Sequence, residues 1–118
     1  TATDLGAAAR RYASSLPERF DVVHLGVGDD GHTASWPPGD PVIDAPGAVA
    51  ISQPYQGRIR MTITPAVVDA ARARVVLLAG ASKQTALAAW LRHDGSVPID
   101  RVRRTGTLVV LDHAADPR

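Results

Sequence analysis

The chain has 118 residues, of which 45% are hydrophobic, so it forms at most one globular domain with a modest core. The formal net charge of +1 gives no electrostatic reason to expect a nucleic acid or an anionic membrane as partner, and the absence of cysteine excludes disulfides, thiolate catalysis and cysteine-ligated zinc. No apolar run approaches the roughly 20 residues that span a bilayer, and residues 1–15 lack the apolar core of a secretory signal, so we expect a cytoplasmic protein.

The first half of the chain predicts a helix, a buried strand, a long loop and a short strand. Apolar residues at helical spacing indicate an amphipathic helix over residues 4–16, which Pro17 helps to end. Residues 20–28, FDVVHLGVG, are nearly all apolar and end in glycine, which is typical of a strand buried on both faces of a parallel sheet. Residues 36–47 hold four prolines and two glycines and predict a loop, and residues 48–52 predict a short strand.

The second half begins with a strand and a helix. Residues 58–64 alternate apolar and polar side chains, as a half-exposed strand does. Thr64 followed by Pro65 is a good N-cap and first helical residue, and it predicts a helix that runs to about Arg74. Residues 74–80 predict a second buried strand.

A helix and a third buried strand follow, over residues 82–95 and 105–112. Ser82 is the expected cap of this helix and Gly95 its stop. Its expected inward-facing residues are Leu87, Trp90 and Leu91. Strands that alternate with helices predict a Rossmann-like, mostly parallel α/β sheet with flanking helices.

Two polar turns follow the first two predicted buried strands. One is Gly-Asp-Asp-Gly-His, residues 28–32, and the other is Gly-Ala-Ser-Lys, residues 80–83. Ligands of parallel α/β sheets bind beyond the C-terminal ends of the strands, so both turns are candidate binding sites.

The first turn has the side chains for hydrolysis or proton transfer. Gly28 and Gly31 let the backbone approach a ligand closely and leave N–H groups for an anion or an oxyanion, which makes both candidate substrate-binding residues. Histidine titrates near neutral pH, so His32 can take a proton from water, and Asp30 can orient the imidazole. A solvent-exposed glycine turn and a metal site that uses Asp29, Asp30 and His32 are the alternatives.

The second turn carries the only lysine of the chain, Lys83, against twelve arginines. Helix N-termini attract anions and an ammonium group adds a full charge, so Lys83 is a candidate phosphate ligand. Arg60, on the polar side of its predicted strand, is a second candidate. An ordinary surface lysine and a solvated strand arginine are the alternatives.

Four segments resemble the later half of 6-phosphogluconolactonases, in the same order and spacing over about residues 12–112. The element Gly-x-Asp-Gly-His-Thr-Ala-Ser, residues 28–35, is the most specific of these resemblances. The segments are FDVVHLGVGDDGHTASWPPG, RMTIT, VVLLAGASKQTAL and GTLVVLD.

The resemblance implies hydrolysis of 6-phosphogluconolactone to 6-phosphogluconate in the pentose phosphate pathway, without a metal or organic cofactor. It implies that His32 activates water against the lactone carbonyl and then protonates the ring oxygen. Asp30 would support His32 or contact the sugar, and Arg60 and Lys83 would bind the phosphate of the sugar-phosphate lactone.

Two other functions of the same superfamily are alternatives. In glucosamine-6-phosphate deaminases, Gly-x-Asp-Gly-His is followed by Ile-Ala-Phe-Asn-Glu-Pro, whereas residues 33–38 here are Thr-Ala-Ser-Trp-Pro-Pro. The only glutamate, Glu18, lies upstream of the first predicted strand, so the acidic residue of the deaminases is missing and the lactonase is favoured. A sugar-phosphate sensor needs only the phosphate ligands, so the presence of both Asp30 and His32 favours the enzyme.

The resemblance also implies an N-terminal half with its own phosphate loop, and no such loop occurs in these residues. Residues 1–118 are therefore expected to form a single, partial domain, or an inactive fragment of the superfamily. An incomplete sheet exposes an edge and apolar surface, so self-association or a complementary N-terminal fragment is expected.

Overall fold

The computed structural model describes residues 2–118, with side chains from Asp4 onward. Over these residues the chain forms a three-stranded sheet, a two-stranded ribbon and three α-helices. In chain order they are α1 (Ala2–Ser15), β1 (Val22–Gly26), β2 (Val49–Ile51), β3 (Met61–Ile63), α2 (Pro65–Ala70), β4 (Ala73–Leu78), α3 (Gln84–Arg92) and β5 (Thr107–Leu111). None of the helices described is long and apolar enough to cross a membrane.

The larger sheet is parallel and has the order β1-β4-β5, which confirms the predicted α/β class. Val22 of β1 pairs with Ala73 of β4, and Arg74 of β4 pairs with Thr107 of β5. β2 and β3 form a separate antiparallel ribbon. Because all three strands of the larger sheet run the same way, the turns that follow them lie at one edge.

One face of the parallel sheet carries the core. Val23 and Leu25 of β1 and Val76 and Leu78 of β4 are buried there. Helices α2 and α3 and the loops supply the rest of the buried cluster. The largest of these contributions come from Trp36, Leu87, Trp90 and Ile99.

The other face of the parallel sheet is open and apolar. Val22, Leu77, Leu108 and Val110 are 55%, 47%, 62% and 42% exposed. The prediction that these strands are buried on both faces is therefore wrong for the chain as described, because the core packs on one side only. The expected apolar surface is confirmed, and within residues 2–118 β1 and β5 each pair on one side only, as expected of an incomplete sheet.

The second predicted helix is shorter than the sequence indicates. It ends at Ala70, and Arg74 lies inside β4 with 1% of its surface exposed. The guanidinium donates hydrogen bonds to the carbonyl oxygens of Val68, Asp69, Ala71 and Thr105 and to the hydroxyl of Thr107. A buried cation is tolerated here because the carbonyls at the end of α2 satisfy its donors.

The third predicted helix also differs at its ends. A 3₁₀ turn over Ala81–Lys83 precedes α3, so Ser82 lies before the helix and makes no capping hydrogen bond. The helix ends at Arg92, and His93 adopts the left-handed conformation that Gly95 was expected to supply. Leu91 is 48% exposed rather than inward-facing.

Candidate active site

The two polar turns meet at the C-terminal edge of the sheet. Lys83 Nζ lies 2.9 Å from Asp29 Oδ1, and the hydroxyl of Ser82 donates to the same oxygen at 3.0 Å. Together they border an open cavity of about 360 Å³. Its lining residues are Asp29, Asp30, His32, Tyr55, Gln56 and Lys83.

The first turn requires both of its glycines. The N–H of Gly28 donates to the carbonyl of His32 at 2.8 Å, and the N–H of Gly31 donates to the carbonyl of Gly28 at 2.9 Å. A Cβ on Gly28 would lie 2.1 Å from Cε1 of His32. Gly31 has φ +85°, and a Cβ there would lie 2.5 Å from Cβ of Val97. The glycines therefore make room for His32 and Val97, while their own N–H groups are used inside the turn rather than left for an anion.

Asp30 and His32 form the centre of the site. Oδ1 of Asp30 accepts hydrogen bonds from ring Nδ1 of His32 at 2.6 Å and from its backbone N–H at 3.0 Å. Oδ2 of Asp30 accepts the hydroxyl of Tyr55 at 2.5 Å. The rings of His32 and Tyr55 meet edge to face, with centroids 5.7 Å apart. Both carboxylate oxygens of Asp30 therefore have partners, and the imidazole is held from two sides.

The charge of Asp30 decides which ring nitrogen of His32 is free. Partial burial opposes ionisation, but the hydrogen bonds from Tyr55 and His32 outweigh it and lower the pKa of Asp30 to about 2. Asp30 is therefore an anion at neutral pH and can only accept hydrogen bonds. The proton of a neutral His32 accordingly lies on Nδ1, which leaves the lone pair of Nε2 free to act as a base.

Lys83 is half-buried, and a second carboxylate holds its turn in place. Asp112, just after β5, accepts the backbone N–H of Gly80 at 3.1 Å and that of Ala115 at 2.9 Å. All three strands of the parallel sheet therefore contribute to the position of Lys83: β4 carries its turn, while the ends of β1 and β5 bind that turn through Asp29 and Asp112.

Arg60 lies beside this cavity rather than in its lining. It borders a neighbouring depression together with Ser35 and Arg58, and its Nε is buried without a hydrogen-bond partner among the described residues. Its charge still reaches Tyr55: the hydrogen bond to Asp30 raises the pKa of Tyr55, and the nearby Arg60 opposes that rise. The structure thus brings Gly28, Asp30, Gly31, His32 and Lys83 together and places Arg60 next to them.

Sequence reasoning missed Tyr55. This residue precedes a two-residue turn in which Gln56 and Gly57 both have positive φ. Its backbone pairs with that of Arg58 in an isolated antiparallel β-bridge. The Gln-Gly pair that follows Tyr55 predicts a turn, but nothing in the local sequence indicates that the tyrosine contacts Asp30.

The described side chains also bear on the metal alternative. Among them, no group of three or more His, Asp or Glu residues could hold a metal ion. Asp30 and His32 bind each other, and Asp29 binds Lys83. This pairing disfavours a metal site built from Asp29, Asp30 and His32.

A sequence model described as "Glucosamine-6-phosphate isomerases/6-phosphogluconolactonase" matches residues 1–110. The chain belongs to this family. Its curated relatives include a 6-phosphogluconolactonase of Synechocystis, 44% identical over 68 residues, which covers 58% of this chain and 28% of the relative. A 6-phosphogluconolactonase of Streptomyces coelicolor is 36% identical over 96% of this chain and 50% of the relative.

Solved structures of the family have the same fold. The 6-phosphogluconolactonase of Trypanosoma brucei superposes with a TM-score of 0.78 at 30% identity, over 98% of this chain and 54% of that protein. The Thermotoga maritima enzyme gives a TM-score of 0.80 at 26% identity, over 91% and 50%. The chain therefore spans about half the length of these structures, and half or less of the two curated relatives.

Proposed function

We propose that the protein to which this chain contributes hydrolyses 6-phosphogluconolactone to 6-phosphogluconate, a step of the pentose phosphate pathway. The observation that carries the proposal is the His32 ring, hydrogen-bonded to an ionised Asp30 in a cavity that Lys83 also borders. The names of the relatives support the same activity, since several are 6-phosphogluconolactonases.

In the proposed reaction His32 acts first as a base and then as an acid. Nε2 takes a proton from a water molecule while the water oxygen attacks the lactone carbonyl carbon. The tetrahedral intermediate collapses, the bond from that carbon to the ring oxygen breaks, and the imidazolium returns its proton to the leaving oxygen. The products are a carboxylic acid and a hydroxyl group, so the sum is lactone plus water. Asp30 stabilises the imidazolium because it is anionic and in contact with Nδ1.

The phosphate group of the substrate would bind to Lys83 and Arg60. Lys83 supplies a full charge at the entry of α3, and Arg60 has a buried donor without a partner in the described part of the chain. Gly28 and Gly31 let the turn fold closely enough for the sugar to approach His32.

The segment after His32 weighs against the deaminase alternative, and a structural likeness to a deaminase does not favour it. A monomeric glucosamine-6-phosphate deaminase superposes with a TM-score of 0.77, but at 20% identity this likeness concerns the fold alone. Thr33 donates its hydroxyl to the carbonyl of Gly26, and the indole of Trp36 donates to the carbonyl of Ile63. Both side chains are buried, so the segment after His32 serves packing here and offers no acidic group.

The open face of the parallel sheet supports a further part of the proposal. Val22, Leu77, Leu108 and Val110 belong to strands whose composition suits burial on both faces. We propose that this face is covered in the active protein, by a complementary segment or a second copy of the chain, and that the 118 residues alone have little activity.

The function is tested by assaying the purified chain, alone and together with a complementary N-terminal half, with the phosphorylated and the unphosphorylated lactone. Turnover that depends on His32 and prefers the phosphorylated lactone supports the proposal. Tight binding of the phosphorylated lactone without any turnover, also in the presence of a complementary N-terminal half, would favour the sensor alternative.

A further inference from the structure

The anion partner of Lys83 in this structure is a carboxylate of the chain itself. Asp29 Oδ1 receives the ammonium of Lys83 at 2.9 Å and the hydroxyl of Ser82 at 3.0 Å. The proposed function assigns the phosphate of the substrate to the same ammonium group. Asp29 therefore occupies a position that a bound phosphate would need.

The charges around the cavity determine how strongly the contact between Asp29 and Lys83 opposes phosphate binding. Among its lining residues Lys83 is the only cation, while Asp29 and Asp30 are both anions when His32 is neutral. The hydrogen bonds from Lys83 and Ser82 lower the pKa of Asp29, so it keeps its charge at neutral pH. A phosphate dianion that approaches Lys83 thus meets a cation already neutralised by one carboxylate, with a second carboxylate nearby.

The exposures of the two partners differ in a way that permits exchange. The side chain of Asp29 is 65% exposed, whereas that of Lys83 is 23% exposed. Asp29 is therefore free to turn towards water, while the ammonium stays at the entry of α3. A ligand with higher charge than a carboxylate can replace Asp29 on Lys83, while Asp112 continues to hold the turn that carries the lysine.

We propose that Asp29 competes with the phosphate group for Lys83, and so sets how tightly this protein holds phosphorylated ligands. This inference rests on the proposed function, since it takes phosphate as the ligand of Lys83. If Asp29 competes with phosphate, removal of the charge at residue 29 should strengthen phosphate binding. If Asp29 merely orients the lysine, the same change should weaken phosphate binding.

The single lysine gives the experiment an unambiguous probe. Selective ¹⁵N-lysine labelling yields one side-chain ammonium signal, that of Lys83, which is followed during titration with inorganic phosphate. We expect Asp29→Asn to bind phosphate about three- to tenfold more tightly than the unmodified chain, because one repulsive charge a few ångströms from the ligand is lost. Asp29→Ser is a second variant in case the amide disturbs the turn.

A matched control separates this effect from a change in overall charge. Asp21 forms an exposed ion pair with Arg72, so Asp21→Asn changes the net charge by the same amount away from the cavity. It should leave the affinity of Lys83 for phosphate unchanged. Equal gains in Asp21→Asn and Asp29→Asn would overturn the competition.

The remaining outcomes distinguish the inference from the function on which it rests. If phosphate shifts the Lys83 signal but both residue-29 variants bind it equally or more weakly, Asp29 is an orienting residue and the inference fails alone. If phosphate leaves Lys83 unaffected in every variant, Lys83 is no phosphate ligand, and the inference fails together with that assignment. The hydrolysis itself is then still tested separately, by the dependence of turnover on His32.

Discussion

Asp30 binds His32 at two points, since its Oδ1 accepts both the ring Nδ1 and the backbone N–H of that residue. The hydrogen bond to the backbone N–H fixes the position of the main chain at His32. The hydrogen bond to Nδ1 fixes the rotation of the imidazole ring. A short hydrogen-bonded turn from Asp30 to His32 thus positions the imidazole. Nε2 is the ring nitrogen that remains free to accept a proton.

The first prediction concerns that nitrogen. His32→Gln should lower kcat for the phosphorylated lactone by about 10²- to 10⁴-fold, the usual contribution of general base catalysis. Steady-state kinetics of the active protein test this. His113→Gln is the control, because His113 is exposed, lies outside the open face of the sheet and is not part of the cavity lining. A His32→Gln variant with near-normal kcat would remove His32 from the chemistry.

A second prediction concerns Tyr55, which we expect to position Asp30. Tyr55→Phe removes a hydrogen bond to the carboxylate, so the pKa of Asp30 should rise from about 2 towards its ordinary value. Titration of the Asp30 carboxyl carbon by NMR measures this shift, and we expect kcat to fall by about three- to tenfold with it. Tyr12→Phe, at an exposed tyrosine of α1, should change neither quantity. An unchanged Asp30 titration would refute the positioning role.

The low pKa of Asp30 also predicts a dependence of stability on pH. Because the carboxyl titrates lower in the folded chain than its ordinary 3.8, its contribution is present above that value and is lost as pH falls towards 2. Urea unfolding at pH 6 and pH 3 should show a smaller loss of stability in Asp30→Asn than in the unmodified chain. Asp21→Asn should lose as much stability as the unmodified chain. An equal loss in Asp30→Asn would mean that the carboxylate is not stabilised by folding.

For Lys83 we predict a role in binding rather than in chemistry. Lys83→Ala should raise KM for the phosphorylated lactone and have much less effect on the unphosphorylated lactone. Arg72→Ala removes a cation far from the cavity and serves as the control. Equal damage to both substrates would show that the lysine is structural or catalytic.

The open face of the sheet predicts self-association of the isolated chain. Light scattering should give a mass above that of the 12.4 kDa monomer, and lactonase activity should be low. Leu108→Lys should reduce the association because it places a charge at the most exposed apolar residue of that face. Ala66→Lys, at an exposed residue of α2, should not. A stable and fully active monomer would contradict this reading of the chain as part of a larger domain.

The sequence was sufficient to predict the three parallel strands and the turns that follow two of them. Short apolar runs that end in Gly-rich polar turns are a local signal, and parallel topology then brings Asp29 to Lys83. The resemblance of residues 28–35 implies the roles of Asp30 and His32, and those roles remain predictions.

The features that escaped prediction depend on contacts distant in sequence. Tyr55 reaches Asp30 across 25 positions, and nothing near Tyr55 marks that partner. The sequence places Arg74 at the end of a helix, whereas the residue lies in β4, where its buried guanidinium donates to groups as distant as the carbonyl of Thr105, 31 positions away. An incomplete sheet predicts exposed apolar surface, but strands whose composition suits burial on both faces do not indicate that Leu77 and Leu108 form it.

The parallel pairing of β1 with β4 also determines when a site can exist during folding. Ser82 and Asp29 are 53 positions apart, and they meet only after the long excursion between the two strands has closed. The hydrogen bonds within α1 and α3 join residues close in sequence, so these helices need no such closure before they form. A compact intermediate in which the helices have formed but β1 and β4 are still unpaired would therefore lack the cavity. The helix content of a preparation would then be a poor guide to the fraction of correctly folded molecules.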